Sequence, residues 1–112
     1  MALPNAHRAI IDRSKLSGYV LSSSHPIGRF KARFFYGLGY DPEDPDRLSD
    51  DLRFQHLVRE AVERSTSKYG TRFEIRGPLT GPNGRRAEVV SVWFVRSEED
   101  FPRFVTAYPG EK

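Results

Sequence analysis

Gly81-Pro82-Asn83-Gly84-Arg85-Arg86-Ala87-Glu88-Val89-Val90-Ser91-Val92-Trp93-Phe94-Val95-Arg96 is the stretch whose reading decides the fold. Its first four residues spell a turn, in which Pro82 fixes a corner and Asn83-Gly84 tolerates the positive φ of a tight reversal. Arg86 to Arg96 then reads as a strand, and its centre, Val89 to Val95, is apolar on both sides, as a central strand should be. Before the turn, Thr71 to Leu79 alternates, with Phe73 and Ile75 opposite Arg72, Glu74 and Arg76, the pattern of a half-buried strand. After it, a Glu98-Glu99-Asp100 turn leads to Phe101 through Pro109, ending in a short strand. Simple alternation sets Phe104, Thr106 and Tyr108 on one side of that strand and Val105 and Ala107 on the other.

Upstream the period changes to that of helices. A short strand is expected at Ala9 to Ile11, after which Asp12 caps a helix carrying Leu16, Tyr19 and Val20. Ser22-Ser23-Ser24 breaks it, and a second helix should run from Pro26 to Leu38, stopped by Gly37 and Gly39, with His25 at its N-terminal edge. At about 100° per residue, Ile27, Phe30, Phe34 and Leu38 share one arc with Phe35 at its margin. Lys31 falls on that same apolar arc, while Arg29, Arg33 and Tyr36 point away.

Tyr40 to Arg47 is acidic and broken by Pro42 and Pro45, and reads as a solvated loop rather than a metal site. A third helix is expected from near Ser49, with Asp50 and Asp51 in its first turn and an apolar stripe of Phe54, Leu57, Val58, Ala61 and Val62. That phase puts His56 on the solvated side. Helices first and strands last give an α+β fold: N-terminal helices packed on one face of a C-terminal antiparallel sheet of three to four strands, in a single domain over residues 1–112.

The chain has 112 residues, 38% hydrophobic and 12% aromatic, enough for one modest core. Its 18 basic against 15 acidic residues leave a net charge of +3, which favours an anionic partner such as RNA. With no cysteine there is no disulfide frame, thiol nucleophile or thiolate metal site. Met1 to Arg8 holds no apolar signal core, and no run approaches the roughly 18 apolar residues of a membrane span. A cytoplasmic workplace is expected, and a toxin domain cut from a larger exported chain would read the same way.

There is no P-loop, no Gly-x-Gly-x-x-Gly opening a helix, no Gly-x-Ser-x-Gly and no histidine pair at metal-ligand spacing. What remains suits metal-free RNA cleavage without a cofactor, in which the substrate's own 2′-hydroxyl is the nucleophile. The protein need only move two protons and stabilise charge on the phosphorane. His25 fits the general acid or base, Lys31 the phosphate, and Thr106 and Tyr108 the hydrogen bonds to it. Arg29, Arg33, Arg85, Arg86 and Arg103 are the candidates for gripping the RNA backbone. Each has a plain structural reading beside it: a capping histidine, a lysine extended past Phe35, two ordinary strand residues, and scattered solvated arginines.

Leu3-Pro-Asn-Ala, His25-Pro-Ile-Gly-Arg-Phe-Lys-Ala-Arg-Phe-Phe, Leu79-Thr-Gly-Pro-Asn-Gly-Arg-Arg-Ala, Val92-Trp-Phe-Val and Glu99-Asp-Phe-Pro-Arg-Phe-Val-Thr-Ala-Tyr-Pro span nearly the whole chain. Together they resemble a bacterial domain family of unassigned function that occurs alone and at the C-termini of polymorphic toxins. More loosely, helices followed by an antiparallel sheet ending in Val-Thr-Ala-Tyr-Pro resemble the barnase–EndoU–colicin–RelE ribonucleases. The resemblance implies a toxin that cleaves RNA, with His25, Lys31, Thr106 and Tyr108 at its centre, and an antitoxin or immunity protein as its partner. The competing reading is an antitoxin, an immunity protein or a non-catalytic RNA-binding module of the same fold; a phage assembly role is a third. No membrane partner is expected.

Overall fold

The computed structural model describes residues 2–22 and 28–110, the side chains of 28–30 excepted. A short 3-10 turn, Ala6–Arg8, leads to α1 (Arg13–Lys15), which continues as a π-helical turn over Leu16–Val20. Next come α2 (Gly28–Gly37), α3 (Pro45–Asp51) and a second π-helical turn over Leu52–His56. Four strands follow: β1 (Val62–Ser67), β2 (Gly70–Thr80), β3 (Arg86–Arg96) and β4 (Pro102–Pro109). They form one antiparallel meander in the order β1-β2-β3-β4, so the architecture is α+β with the helices ahead of the sheet in sequence.

The hairpin that anchors the sheet forms as its sequence dictates. Gly84 takes φ 86°, the left-handed conformation a side chain would resist, and β2 pairs with β3 in unbroken register from Gly70↔Arg96 to Thr80↔Arg86. One face of this hairpin, with Phe73, Ile75, Leu79, Val89 and Trp93, joins Leu16, Leu21, Phe35, Leu48 and Leu52 of the helices in a continuous core. Val90 and Val92, on the opposite face, are buried as well, which makes β3 apolar on both sides.

The hairpin turn also closes the end of α2. Asn83 donates from its backbone N–H to Leu38 O (3.3 Å) and from Nδ2 to Gly37 O (3.0 Å), satisfying carbonyls that the last helical turn leaves bare. Gly81 is needed for the approach, since a Cβ there would stand 2.7 Å from the Cβ of Leu38.

Several sequence expectations need correction. Asp12 caps α1 as expected, accepting from Ser14 N–H, but Ala9 to Ile11 forms no strand. Ile10 makes only an isolated parallel bridge to Arg103. The third helix starts at Pro45 and ends near His56 rather than running from Ser49 to Val62. Leu48, Leu52 and His56 then face inward, and the π turn, which aligns residues five apart, brings Leu57 beneath Leu52 through a Leu57 N–H to Leu52 O bond of 2.9 Å. Phe54 and Val58 are turned outward, 77% and 73% exposed, so that of the expected stripe Leu57 and Ala61 reach the core and the rest does not.

Val62 belongs to β1, an edge strand exposed at every residue. Tyr36, expected to point away, is half-buried, and its hydroxyl donates to Leu21 O. In β4 the register passes from Trp93↔Phe104 to Val92↔Thr106, so Val105 is an extra residue in the ladder. This bulge moves Phe104 to the core face, 5.2 Å centroid to centroid from Trp93, and leaves Thr106 and Tyr108 on the face of Val92 and Val90. Ala107, opposite Ser91, also faces the core.

Candidate functional site

Lys31 does not end in open solvent. It is half-buried, and its ammonium donates to the Tyr19 hydroxyl at 3.0 Å. It also stands 5.0 Å from the Tyr19 ring centre and 5.7 Å from that of Tyr108, so two electron-rich faces flank the charge. Three elements build this arrangement: α2 supplies Lys31, the first π turn supplies Tyr19, and β4 beyond its bulge supplies Tyr108.

Tyr19 and Thr106 line a cleft of about 370 Å³ together with Ser14, Lys15 and Val105. Thr106 Oγ1 is buried and has no hydrogen-bond partner among the described residues. A buried hydroxyl left alone loses the hydrogen bonds it had in water, a cost that a polar partner would relieve. Lys15 and Val105 also line an adjoining cleft of about 240 Å³ with Ile10, Asp12, Phe94, Arg96, Arg103 and Phe104. The two clefts form one groove along β4, with Lys15, Arg96 and Arg103 as its cations.

Arg103 reaches this groove already paired. Its guanidinium grips the Glu99 carboxylate through two bonds, 2.9 and 2.7 Å, which hold the Glu99 carboxyl below its ordinary range. Arg96 adds a third approach to Glu99, at 3.6 Å.

Of the other expected site residues, His25 lies outside the described residues, and so does the side chain of Arg29. Arg33, Arg85 and Arg86 are brought together, but in a second groove of about 420 Å³ that shares no lining residue with the first.

His56, expected on the solvated side, is fully buried. Its Nδ1 is 2.7 Å from Ser91 Oγ and its Nε2 is 3.1 Å from Gly77 O. Trp93 Nε1–H donates to the same Ser91 oxygen at 2.8 Å. The arrangement closes when His56 carries its proton on Nε2 for Gly77 O and accepts on Nδ1 from Ser91. Burial depresses its pKa below the ordinary 6.5, which favours the neutral ring.

The model of a domain family matches residues 2–111. The chain belongs to that family, DUF6883, a domain of unknown function. Among solved structures, a similar chain comes from a contact-dependent growth inhibition toxin–immunity protein complex of Klebsiella pneumoniae 342. The two are 22% identical with a TM-score of 0.67, and the match covers 95% of this chain and 97% of that one. The likeness is one of fold. No curated protein matches the sequence.

Two residues at the candidate site are not recognisable from the sequence, Tyr19 and Lys15. Tyr19 reads as a core position beside Leu16 and Val20, and its one signal is a hydroxyl on an otherwise apolar helix face. Lys15 carries no signal at all, because its place beside Val105 depends on the bulge in β4.

Proposed function

We propose that this domain is a toxin that cleaves RNA without a metal or cofactor and is held in check by a cognate immunity or antitoxin protein. The observation that carries the reading is the half-buried Lys31, flanked by Tyr108 and bonded to Tyr19, which lines a groove together with Thr106, whose hydroxyl is unpartnered among the described residues. The shared fold with a chain from a toxin–immunity complex supports the setting, and a cytoplasm would be the place of work.

In this reaction the 2′-oxygen of the substrate attacks phosphorus, the P–O5′ bond breaks, and a 2′,3′-cyclic phosphate and a 5′-hydroxyl result. His25 takes the 2′-hydroxyl proton. Lys31 neutralises charge on the phosphorane and the departing O5′, which takes its proton from solvent water. Thr106 and Tyr108 donate hydrogen bonds to the phosphoryl oxygens. Such placed donors and charges typically contribute about 2.7–4 kcal/mol each to the transition state. Arg103 and Lys15 line the path of the strand beyond the scissile phosphate.

The test is cleavage of total cellular RNA and of tRNA in EDTA. The intact domain should cut, and a Lys31→Ala, His25→Ala double variant should not; intact RNA with the unmodified protein, or undiminished cutting by the variant, overturns the reading.

The complex that holds the similar chain pairs a toxin with an immunity protein, and so supports a second reading, in which this domain is the immunity component. A toxin should arrest growth on induction unless its partner is co-expressed. An immunity protein should express freely and rescue cells.

A further inference from the structure

We infer that the groove formed by Arg33, Arg85 and Arg86 is a binding site for single-stranded RNA, separate from the centre around Lys31. It rests on the RNA reading above but not on cleavage.

Most described arginines outside this groove are paired, Arg72 on β2 being an exposed exception. Arg8, Arg13, Arg47, Arg64, Arg96 and Arg103 each face a carboxylate, and Arg53 and Arg59 donate to backbone carbonyls. Arg33, Arg85 and Arg86 are exposed and, among the described residues, their side chains have neither ion pair nor hydrogen bond. All three line one groove, and no acidic side chain lines it with them. Three unneutralised guanidinium groups in one place repel each other, and they stay together at lowest free energy when an anion lies between them.

Their placement is built into the backbone. Arg85 N–H donates to Asn83 Oδ1 (2.9 Å), and Arg85 O accepts from Gly81 N–H (2.8 Å). The same Asn83 caps the carbonyls of Gly37 and Leu38 at the end of α2, the helix that carries Arg33. Turn and helix are therefore one unit, and the spacing of the three arginines is set before any ligand arrives.

The floor between them is apolar, from Phe34, Leu38 and Ala87. Cations around an apolar strip containing an aromatic ring match the alternation of phosphate and base in an unpaired strand. A duplex hides its base faces and has no use for such a floor. A protein partner would need roughly 800 Å² on each side with an apolar centre, whereas this groove is lined by only seven residues. Lys31 and Arg33 stand about 200° apart around α2, so a strand gripped here passes the opposite side of the helix from the Lys31 centre.

The probe is a labelled 2′-O-methyl oligoribonucleotide of about 12 nucleotides, within the usual range of single-strand sites and inert to 2′-oxygen attack. Its affinity is measured by fluorescence anisotropy over a salt series. The R33Q/R85Q/R86Q variant should bind at least about tenfold more weakly, with a salt slope smaller by about 2, since each phosphate contact on a single strand contributes about 0.7. Lys68→Gln, which removes an exposed cation from the turn between β1 and β2, outside both grooves, should leave the slope unchanged. The R33K/R85K/R86K variant, which keeps charge and loses the guanidinium fork, should keep the slope and lose part of the affinity.

Wild-type affinity and slope in the triple Gln variant overturn the proposal, as does equal binding of a duplex of the same sequence. Polyglutamate binding lost in the triple Gln variant, with no affinity for the oligonucleotide, also overturns it and assigns the groove to an acidic protein. A domain that binds the probe through these arginines yet cuts no RNA sustains this inference while refuting the nuclease.

Discussion

The molecule contains two polar clusters that pair a nitrogen base with hydroxyl groups, and they differ in almost every physical respect. In the core, His56, Ser91, Trp93 and the Gly77 carbonyl form a closed set in which each polar atom has a partner. At the groove along β4, Tyr19 is hydrogen-bonded to Lys31, but the hydroxyl of Thr106, which lines the same cleft as Tyr19, is buried and unpartnered among the described residues. A closed set rigidifies a core and leaves nothing with which to bind a ligand. An open one is held in place yet retains unused capacity, as a binding site requires. The histidine is therefore structural, and the lysine is the better candidate for chemistry.

Substitutions should break this contrast cleanly. The largest effect on stability is expected from His56→Ala, which empties a buried site and strands Ser91 and the Gly77 carbonyl, at about 3–4 kcal/mol in urea unfolding. Lys31→Met should cost no more than about 1 kcal/mol of stability while lowering RNA cleavage at least about 100-fold in a gel assay.

The pH dependence sharpens the difference. Burial favours the neutral ring of folded His56, so the unfolded chain binds the extra proton as pH falls through 6.5. Stability should be level above that pH and decline below it, down to the lowered folded-state value. The Arg59 charge reinforces the depression and Glu88 opposes it. Urea midpoints from pH 8 to pH 5 should show this decline in the wild type and a flatter curve in His56→Gln; parallel curves would mean that His56 is not the titrating group.

Ser91→Ala should cost about 1–2 kcal/mol, because it leaves His56 Nδ1 and Trp93 Nε1 unpaired. The smallest effect is expected for Tyr19→Phe. It keeps the ring beneath Lys31 and loses only the hydroxyl, so stability should move by no more than about 1 kcal/mol and cleavage by about tenfold.

How far the sequence could be read depended on how local each signal was. The β2–β3 hairpin was legible because alternation, a two-sided apolar run and a Pro-Asn-Gly turn all agreed, and β3 begins and ends where expected. β1 carried no signal, since Val-Glu-Arg-Ser-Thr-Ser buries nothing and is held only by its ladder to β2. His56 was misplaced because a stripe aligned on Phe54 and Val58 assumes uniform α spacing from Ser49, whereas the helix starts at Pro45 and widens into a π turn. At the candidate site, Lys31 stood out as a charge on a greasy arc. Its partner Tyr19 did not, since a tyrosine on an apolar helix face is ordinary.

By itself, the sequence determined what local chemistry can determine: helices before strands, the hairpin at Gly81 to Gly84, the cap at Asp12, and a lysine that had to find company among apolar neighbours. Tertiary structure alone decided who that company is. One extra residue in β4, Val105, turns Phe104 toward Trp93 and leaves Thr106 and Tyr108 on the other face, and one docked turn sets Arg85 and Arg86 beside Arg33. Both outcomes depend on contacts between residues far apart in the chain, whose free energy exists only once the intervening elements have packed.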